Sequence, residues 1–262
     1  MALVLPPLAA ETLFHIGPLP VTNTIINTWI AMIIFLVMGI IIKRNINIRP
    51  GKFQNFWEHI LELIMGYFDQ VTGDRAKTIK YLPISGTIFF FILLSNWIGL
   101  LPGTGSFLWH HEPLLRPANT DLNLTLAMAL TAVVMSHLYA FVSVGFFVHL
   151  NKFIQLGSLA KSFKKGPMGI LTAVVEFAVG LIEIVSEMAK VLSLSLRLFG
   201  NIFAGEVLMT VIASILAFLL PTPFMLLELL VGLIQAGVFS ILSIVYLTVA
   251  GTVPHGTEKA HH

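Results

Sequence analysis

The sequence predicts an all-α polytopic membrane protein: about five membrane-crossing helices, one interfacial amphipathic helix, and a long tilted helical hairpin at the C-terminal end. Three observations carry that prediction. Hydrophobic residues make up 56% of the 262 positions and charged residues only 11%, less than half of the roughly 25% typical of soluble domains. The apolar residues gather in unbroken runs on the scale of the roughly 20 residues that a helix needs to cross a bilayer. The basic residues collect on one side of those runs. The absence of cysteine excludes a disulfide framework, thiolate metal sites and a catalytic thiol. A formal charge of +2 is too small to suggest a nucleic-acid partner.

The elements follow in order along a single helical membrane domain, residues 1–262. Residues 1–24 form an outer segment: no basic residue precedes its short apolar run, and Pro6 and Pro7 interrupt it, which argues against a cleaved signal peptide. Spans are expected over 25–42, 83–101 and 122–147, and none alternates in the two-residue period of a barrel strand. Between the first two, residues 53–71 place Asn55, Glu58, His59, Glu62, Asp69 and Gln70 opposite Phe56, Trp57, Ile60, Leu61, Ile64, Tyr67 and Phe68 at helical spacing. Basic clusters at both ends keep this helix from crossing, so it lies in the interface, facing lipid alone or a partner subunit.

Residues 167–220 would make a helix of roughly 80 Å against a hydrocarbon core of about 30 Å. That stretch must bend, break or tilt steeply, and composition leaves one crossing or two open. Pro221 and Pro223 reverse the chain, and 224–250 returns. Lys43, Arg44, Arg49 and Lys52, then Arg75, Lys77 and Lys80, then Lys152, Lys161, Lys164 and Lys165 all fall on one side, with Arg116 alone on the other. Short cytoplasmic loops accumulate Lys and Arg, so the N-terminus is expected outside and the tail, 251–262, in the cytoplasm.

The chemistry concentrates in the last third. Glu176, Glu183, Glu187, Lys190, Arg197, Glu206 and Glu228 interrupt stretches otherwise built from Leu, Val, Ile, Phe and Ala. Each charge at mid-membrane costs about 2.5–3.5 kcal/mol on insertion scales, so such a set needs water or partner charges. At about 100° per residue, Glu176, Glu183, Glu187, Lys190, Ser193 and Asn201 share the face of Arg197, whereas Glu206 lies about 180° away. Glu228 and Gln235 are two turns apart on one face of the last span. One antiparallel register sets Glu206 opposite Glu228 and Arg197 opposite Gln235.

Those residues carry a resemblance. The run Ser193-Leu194-Ser195-Leu196-Arg197-Leu198-Phe199-Gly200-Asn201, continuing to Gly205-Glu206, with Glu228, Gln235 and the ending Ile244-Val245-Tyr246-Leu247, resembles subunit a of the F-type ATP synthase. Ser95 to Pro102 and Thr120 to Ala127 resemble that family too. The resemblance implies a stator, in a bacterial plasma (inner) membrane, that gives protons two offset half-channels beside a rotating c-ring. Peripheral-stalk b subunits and membrane lipid are its other implied partners, and no cofactor is implied. It implies that Arg197 is the essential charge, with Asn201 nearby. Glu206 and Glu228 would line the outer half-channel, Gln235 would support Arg197, Asp121 would stand near the outer mouth, and Glu183 on the route to the cytoplasm. Many relatives pair a histidine with an acid where this chain has two acids. Two close carboxylates are expected to share a proton and titrate as a unit.

Arginine keeps its proton in a protein, so a fixed charge at Arg197 would make a passing ring carboxylate release its own and would repel a proton leaking straight across. Lys190 either snorkels or pairs with Glu187. His137 and His149 read as packed polar side chains, and His110 with His111 as too small a set for a metal. No phosphate-binding glycine loop occurs, so the chain is a non-catalytic subunit that does not itself bind ATP. A sodium-translocating version of the same subunit and a secondary transporter are the rival functions. The transporter would show two related halves with broken helices in both. A mere membrane anchor would have no reason to hold Arg197.

Overall fold

A computed structural model describes residues 6–101, 108–109, 112–113, 115–146, 148–149, 167–215 and 221–251. Expectations for His110, His111, Lys152, Lys161, Lys164, Lys165 and the tail beyond Gly251 lie outside those residues, as does the side chain of Glu176. The described chain contains six helices: α1 (Asn23–Arg44), α2 (Lys52–Thr72), α3 (Arg75–Leu100), α4 (Leu122–Ser143), α5 (Pro167–Ile215) and α6 (Pro221–Ala250). All but α2 are long and apolar enough to cross a membrane.

The packing is inverted relative to a soluble protein. Helix α1 buries Asn23, Thr24, Asn27 and Ala31 and exposes Trp29, Met32, Ile33, Leu36, Val37, Ile40 and Ile41. Such an apolar surface is stable only against hydrocarbon, while the buried amides and hydroxyls find partners inside. Thr24 Oγ1 donates to Asp121 at 3.1 Å, and Asn27 Nδ2 donates to the Arg116 carbonyl at 2.7 Å. Thr22 caps α1 and ends a small antiparallel hairpin, β1 (Thr12–Ile16) with β2 (Leu19–Thr22). Gly17 at φ +62 makes its turn, a backbone that glycine adopts without penalty.

The amphipathic helix α2 runs antiparallel to α3. Thr72 and Thr78 hydroxyls meet at 2.7 Å at one end, and the Trp57 and Phe90 rings lie 6.2 Å apart at the other. Ile64 and Phe68 are buried there, so this face has a protein partner within the chain, while Phe56 and Tyr67 from the expected apolar face stay exposed. At the corner, the Thr78 hydroxyl and the Arg75 guanidinium hold the Asp69 carboxyl below its ordinary range.

Three boundaries differ from those expected. Helix α3 starts at Arg75, where Asp74 accepts from the Ala76 amide as N-cap, because a cap sets the start while hydropathy marks only the apolar part. Helix α4 stops at Ser143, since Gly145 takes φ +97. Helix α6 begins at Pro221, earlier than 224, because proline fits the first turn, whose N–H groups lack intrahelical partners anyway.

Helix α5 runs unbroken over 49 residues. Its apolar part, Phe177–Ile215, has 39 residues; as a straight helix of about 59 Å it fits a 30 Å core only at roughly 60° from the membrane normal. Of the three options left by length, a break is excluded among the described residues. Small buried residues on α4, Thr125, Ala129, Ala132, Ser136 and Ala140, let it approach α5 closely, and Thr125 meets Ser195 at 3.1 Å. Helix α6 packs on α3 through Gly232, where a Cβ would come 3.2 Å from that of Asn96, and Asn96 donates to the Gly232 carbonyl. Leu194, Leu198, Ile202, Phe239, Ile244 and Leu247 fill the core between them.

At the end of α3, a Cβ on Gly99 would lie 2.6 Å from the Pro117 Cα. Gly99→Ala is therefore expected to cost about 1–3 kcal/mol through overpacking. The measurement is the thermal midpoint of the detergent-purified protein, with Gly39→Ala, which meets open space, as the control that stays near the parent value.

Candidate functional site

The middle of α5 has two faces. Leu194, Ser195, Leu198, Ile202 and Gly205 are buried, while Ser193, Leu196, Arg197, Gly200, Asn201, Ala204 and Leu208 are exposed. Arg197 thus stands on a largely apolar outer stripe. Among the described residues its side chain has no ion pair, and it is held in the chain by the burial of its neighbour Leu198. Exposed Leu227, Leu230 and Ile234 of α6 extend this apolar surface beside it.

The hairpin register is close to the one expected. A Cβ at Gly205 would fall on the Glu228 carboxylate, so Glu228 lies against the residue that precedes Glu206. Gln235 Oε1 accepts from Asn201 Nδ2 at 2.9 Å, so its bonded partner is Asn201, one helical turn beyond the expected Arg197. The Gln235 Nε2 is buried without a partner. An amide nitrogen is a donor and offers nothing to a guanidinium. Lys190 Nζ lies 5.4 Å from the Tyr246 ring centroid, in keeping with the same antiparallel pairing.

The two acids differ sharply in setting. Arg116, only 3% exposed at its side chain, donates from Nε to both Glu206 oxygens at 2.9 and 3.1 Å and from Nη2 to Oε2 at 2.9 Å. Its other donors go to the carbonyls of Pro7, at 2.8 Å, and Ala9, at 3.3 Å. Glu228 is buried at 5% exposure, and its Oε1 has no hydrogen-bond partner. Glu206 is thus clamped to a cation, while among the described residues Glu228 Oε1 has no hydrogen-bond partner. Periodicity gives no view of this, because Arg116 reaches Glu206 from a loop 90 residues away in sequence. The available signal was its isolation as a basic residue on the side that otherwise lacks them.

The remaining residues fall into two groups. Asp121 uses one oxygen to cap α4, accepting from the Asn123 amide at 2.9 Å, and the other to accept from Thr24, so it ties α1 to α4. Ser193 is exposed on the Arg197 stripe. Toward the basic end of α5, Glu187 Oε1 accepts from Lys190 Nζ at 2.7 Å, the pairing reading for Lys190. Glu187 Oε2 lies 3.6 Å from His137 Nε2, and His137 Nδ1 lies 3.1 Å from His149 Nε2. Glu183 is half-buried one turn earlier. Along α5 the clusters around Glu187 and Glu206 stand about 15 Å and 14 Å from Arg197 at 1.5 Å per residue. No group of three or more His, Cys, Asp or Glu side chains is suited to a metal among the described residues.

The model of the ATP synthase A chain family matches residues 25–248. The chain is 34% identical over 235 residues to ATP synthase subunit a of Moorella thermoacetica, covering 90% of this chain and 93% of that one. It is 35% identical over 232 residues to ATP synthase subunit a of Desulfosudis oleivorans, 88% of each. It is 34% identical to the same subunit of Gloeobacter violaceus, over 89% of this chain and 86% of that one. The chain belongs to the ATP synthase subunit a family. It is an integral, multi-pass membrane protein of that family, with five helices among the described residues long and apolar enough to span.

Breaking a buried ion pair by removing one partner costs about 3–5 kcal/mol, whereas replacing both partners by apolar groups is often neutral. For this subunit a, Arg116→Met is expected to lose that amount and Arg116→Met with Glu206→Leu to recover most of it. Thermal unfolding in detergent reads both, and equal losses in the single and double variants would contradict the clamp.

Proposed function

We propose that this chain is the proton-conducting stator of a rotary ATP synthase in a bacterial plasma membrane, acting as one helical membrane domain with its N-terminus outside. Arg197 faces a passing ring of c subunits and separates two half-channels. Glu228 and Glu206 serve the outer one, with Asp121 at its mouth. Glu187 and Glu183 serve the cytoplasmic one. Ser193, Asn201 and Gln235 line the neighbourhood of the arginine, with the Asn201–Gln235 bond fixing the hairpin around it. Peripheral-stalk b subunits and lipid cover other surfaces.

One observation carries this reading: among the described residues Arg197 has no ion pair, on an apolar stripe midway between two polar clusters. A charge so placed costs several kcal/mol in lipid, and a ring carboxylate arriving from another subunit is the group that would offset it. The opposite charge would empty that carboxylate of its proton. Protons moving down the potential release about 2.3 kcal/mol per 100 mV, and offset half-channels convert that into rotation, since no straight path passes the arginine.

Arg197→Ala is expected to abolish ATP-driven proton pumping in inverted membrane vesicles while the subunit still accumulates in the membrane. Arg197→Lys is expected to be a poor substitute, because a compact ammonium loses its charge on burial more readily. Normal pumping by the Ala variant would sink the assignment.

Glu228 has the oxygen that can gain or lose a proton without breaking a bond. Glu228→Leu is therefore expected to lower passive proton conductance of vesicles stripped of the catalytic sector, by about tenfold or more for a lost relay group, and Glu228→His to retain it. Parent-like conductance of the Leu variant at every pH would make Glu228 structural.

A further inference from the structure

We propose that protons cross the basic side of the subunit through an imidazole relay, Glu187 to His137 to His149. The inference rests on the proton-path reading above and names the groups that continue it beyond Glu187. His137 reaches Glu187 through Nε2, at 3.6 Å from Oε2, and His149 through Nδ1, at 3.1 Å. Its two ring nitrogens therefore face two different partners. That is the arrangement a relay requires, because a proton on Glu187 can pass to His137 Nε2 while the proton on His137 Nδ1 leaves for His149 Nε2. The Glu187 O–H and the His137 Nδ1–H bonds break, an N–H bond forms at Nε2 of each imidazole, and no co-reactant is needed. The Glu187 distance is a few tenths of an ångström beyond hydrogen-bond range, within reach of a side-chain rotation.

The surroundings favour transfer over storage. Lys190 occupies Glu187 Oε1 and leaves Oε2 for His137. His149 is buried at 4% exposure, with the Phe141 ring edge-on at 5.1 Å between centroids. In sequence it lies three residues before Lys152, the first of the basic residues Lys152, Lys161, Lys164 and Lys165. Glu187 and His149 approach opposite nitrogens of His137, so the three groups do not converge on a point where a metal ion would sit. An imidazole chain passes protons and not sodium ions, so the relay also specifies the ion on this side.

The test uses the complete ATP synthase in inverted vesicles, which expose the cytoplasmic face to the buffer, and then the same vesicles stripped of the catalytic sector. His137→Gln, His149→Gln and Glu187→Gln each keep a hydrogen-bonding group of similar size but cannot relay. Each is expected to lower passive proton conductance by about a hundredfold, the lower end of the range for a positioned proton-transfer group. Parent-like conductance in any one of the three that is present in the membrane at the parent amount overturns the relay. His137→Ala is expected to regain conductance when imidazole is added to the buffer, with the parent unaffected; low conductance that imidazole leaves unchanged assigns His137 a packing role and also overturns it. Arg197→Ala runs alongside. If that variant still pumps, the stator reading itself fails, whereas parent-like Gln variants beside an inactive Arg197→Ala refute the relay alone.

Discussion

A guanidinium cannot shed its charge in a protein, and a hydrocarbon surface cannot solvate one. That conflict at Arg197 constrains the rest of the molecule. The residue stands on the exposed stripe of α5 with no ion-pair partner among the described residues, flanked by Leu196, Gly200 and Ala204. Gly200 and Ala204 keep the stripe shallow, so that another helix can approach the charge closely. The long helix lets one element carry the arginine and both flanking clusters, about 14–15 Å to either side at the helical rise.

Holding such a helix at a steep tilt requires contacts that do not depend on the hydrophobic effect, because lipid is as apolar as leucine. Small residues and hydrogen bonds supply them. Asn119 donates to Asn96 at 2.6 Å and Asn96 to the Gly232 carbonyl at 3.4 Å, linking the loop before α4 to α3 and α6. Trp97 donates to the Leu229 carbonyl at 3.1 Å, and Ser240 to the Ser85 carbonyl at 2.7 Å. These bonds fix α6, and the Gly205–Glu228 contact then fixes α5 against it.

Much of this was legible in the sequence for reasons that follow from the solvent. Spans, the amphipathic helix and Arg197 stand out because lipid penalises polar groups residue by residue, so the pattern is local. The register of α5 against α6 was legible too, since two prolines mark the reversal and charged positions repeat along both arms. What stayed hidden depends on tertiary approach. The clamp of Arg116 on Glu206 joins a loop to a helix far along the chain, and the meeting of His137 with His149 depends on the turn at Gly145, which a hydropathy run through 122–147 passes over. The beginning of α3 at Asp74 was hidden for the opposite reason: the cap is local, but it lies outside the apolar run.

The clamp changes what the two acids can do. Were both free, two nearby carboxylates would compete for one proton and titrate together. With the Arg116 guanidinium bonded to both oxygens of Glu206, that acid acts first as an anchor, joining α5 to the loop before α4 and, through the Pro7 and Ala9 carbonyls, to the N-terminal segment. A guanidinium anchored on several sides is a fixed positive charge, which repels other cations as well as holding its own partner. Glu228 keeps an oxygen without a hydrogen bond and lies against a glycine, where no side chain intervenes. The division follows from geometry: Glu206 is held by two guanidinium donors through three contacts, whereas Glu228, with an oxygen that has no hydrogen-bond partner among the described residues, can exchange a proton while everything around it stays in place.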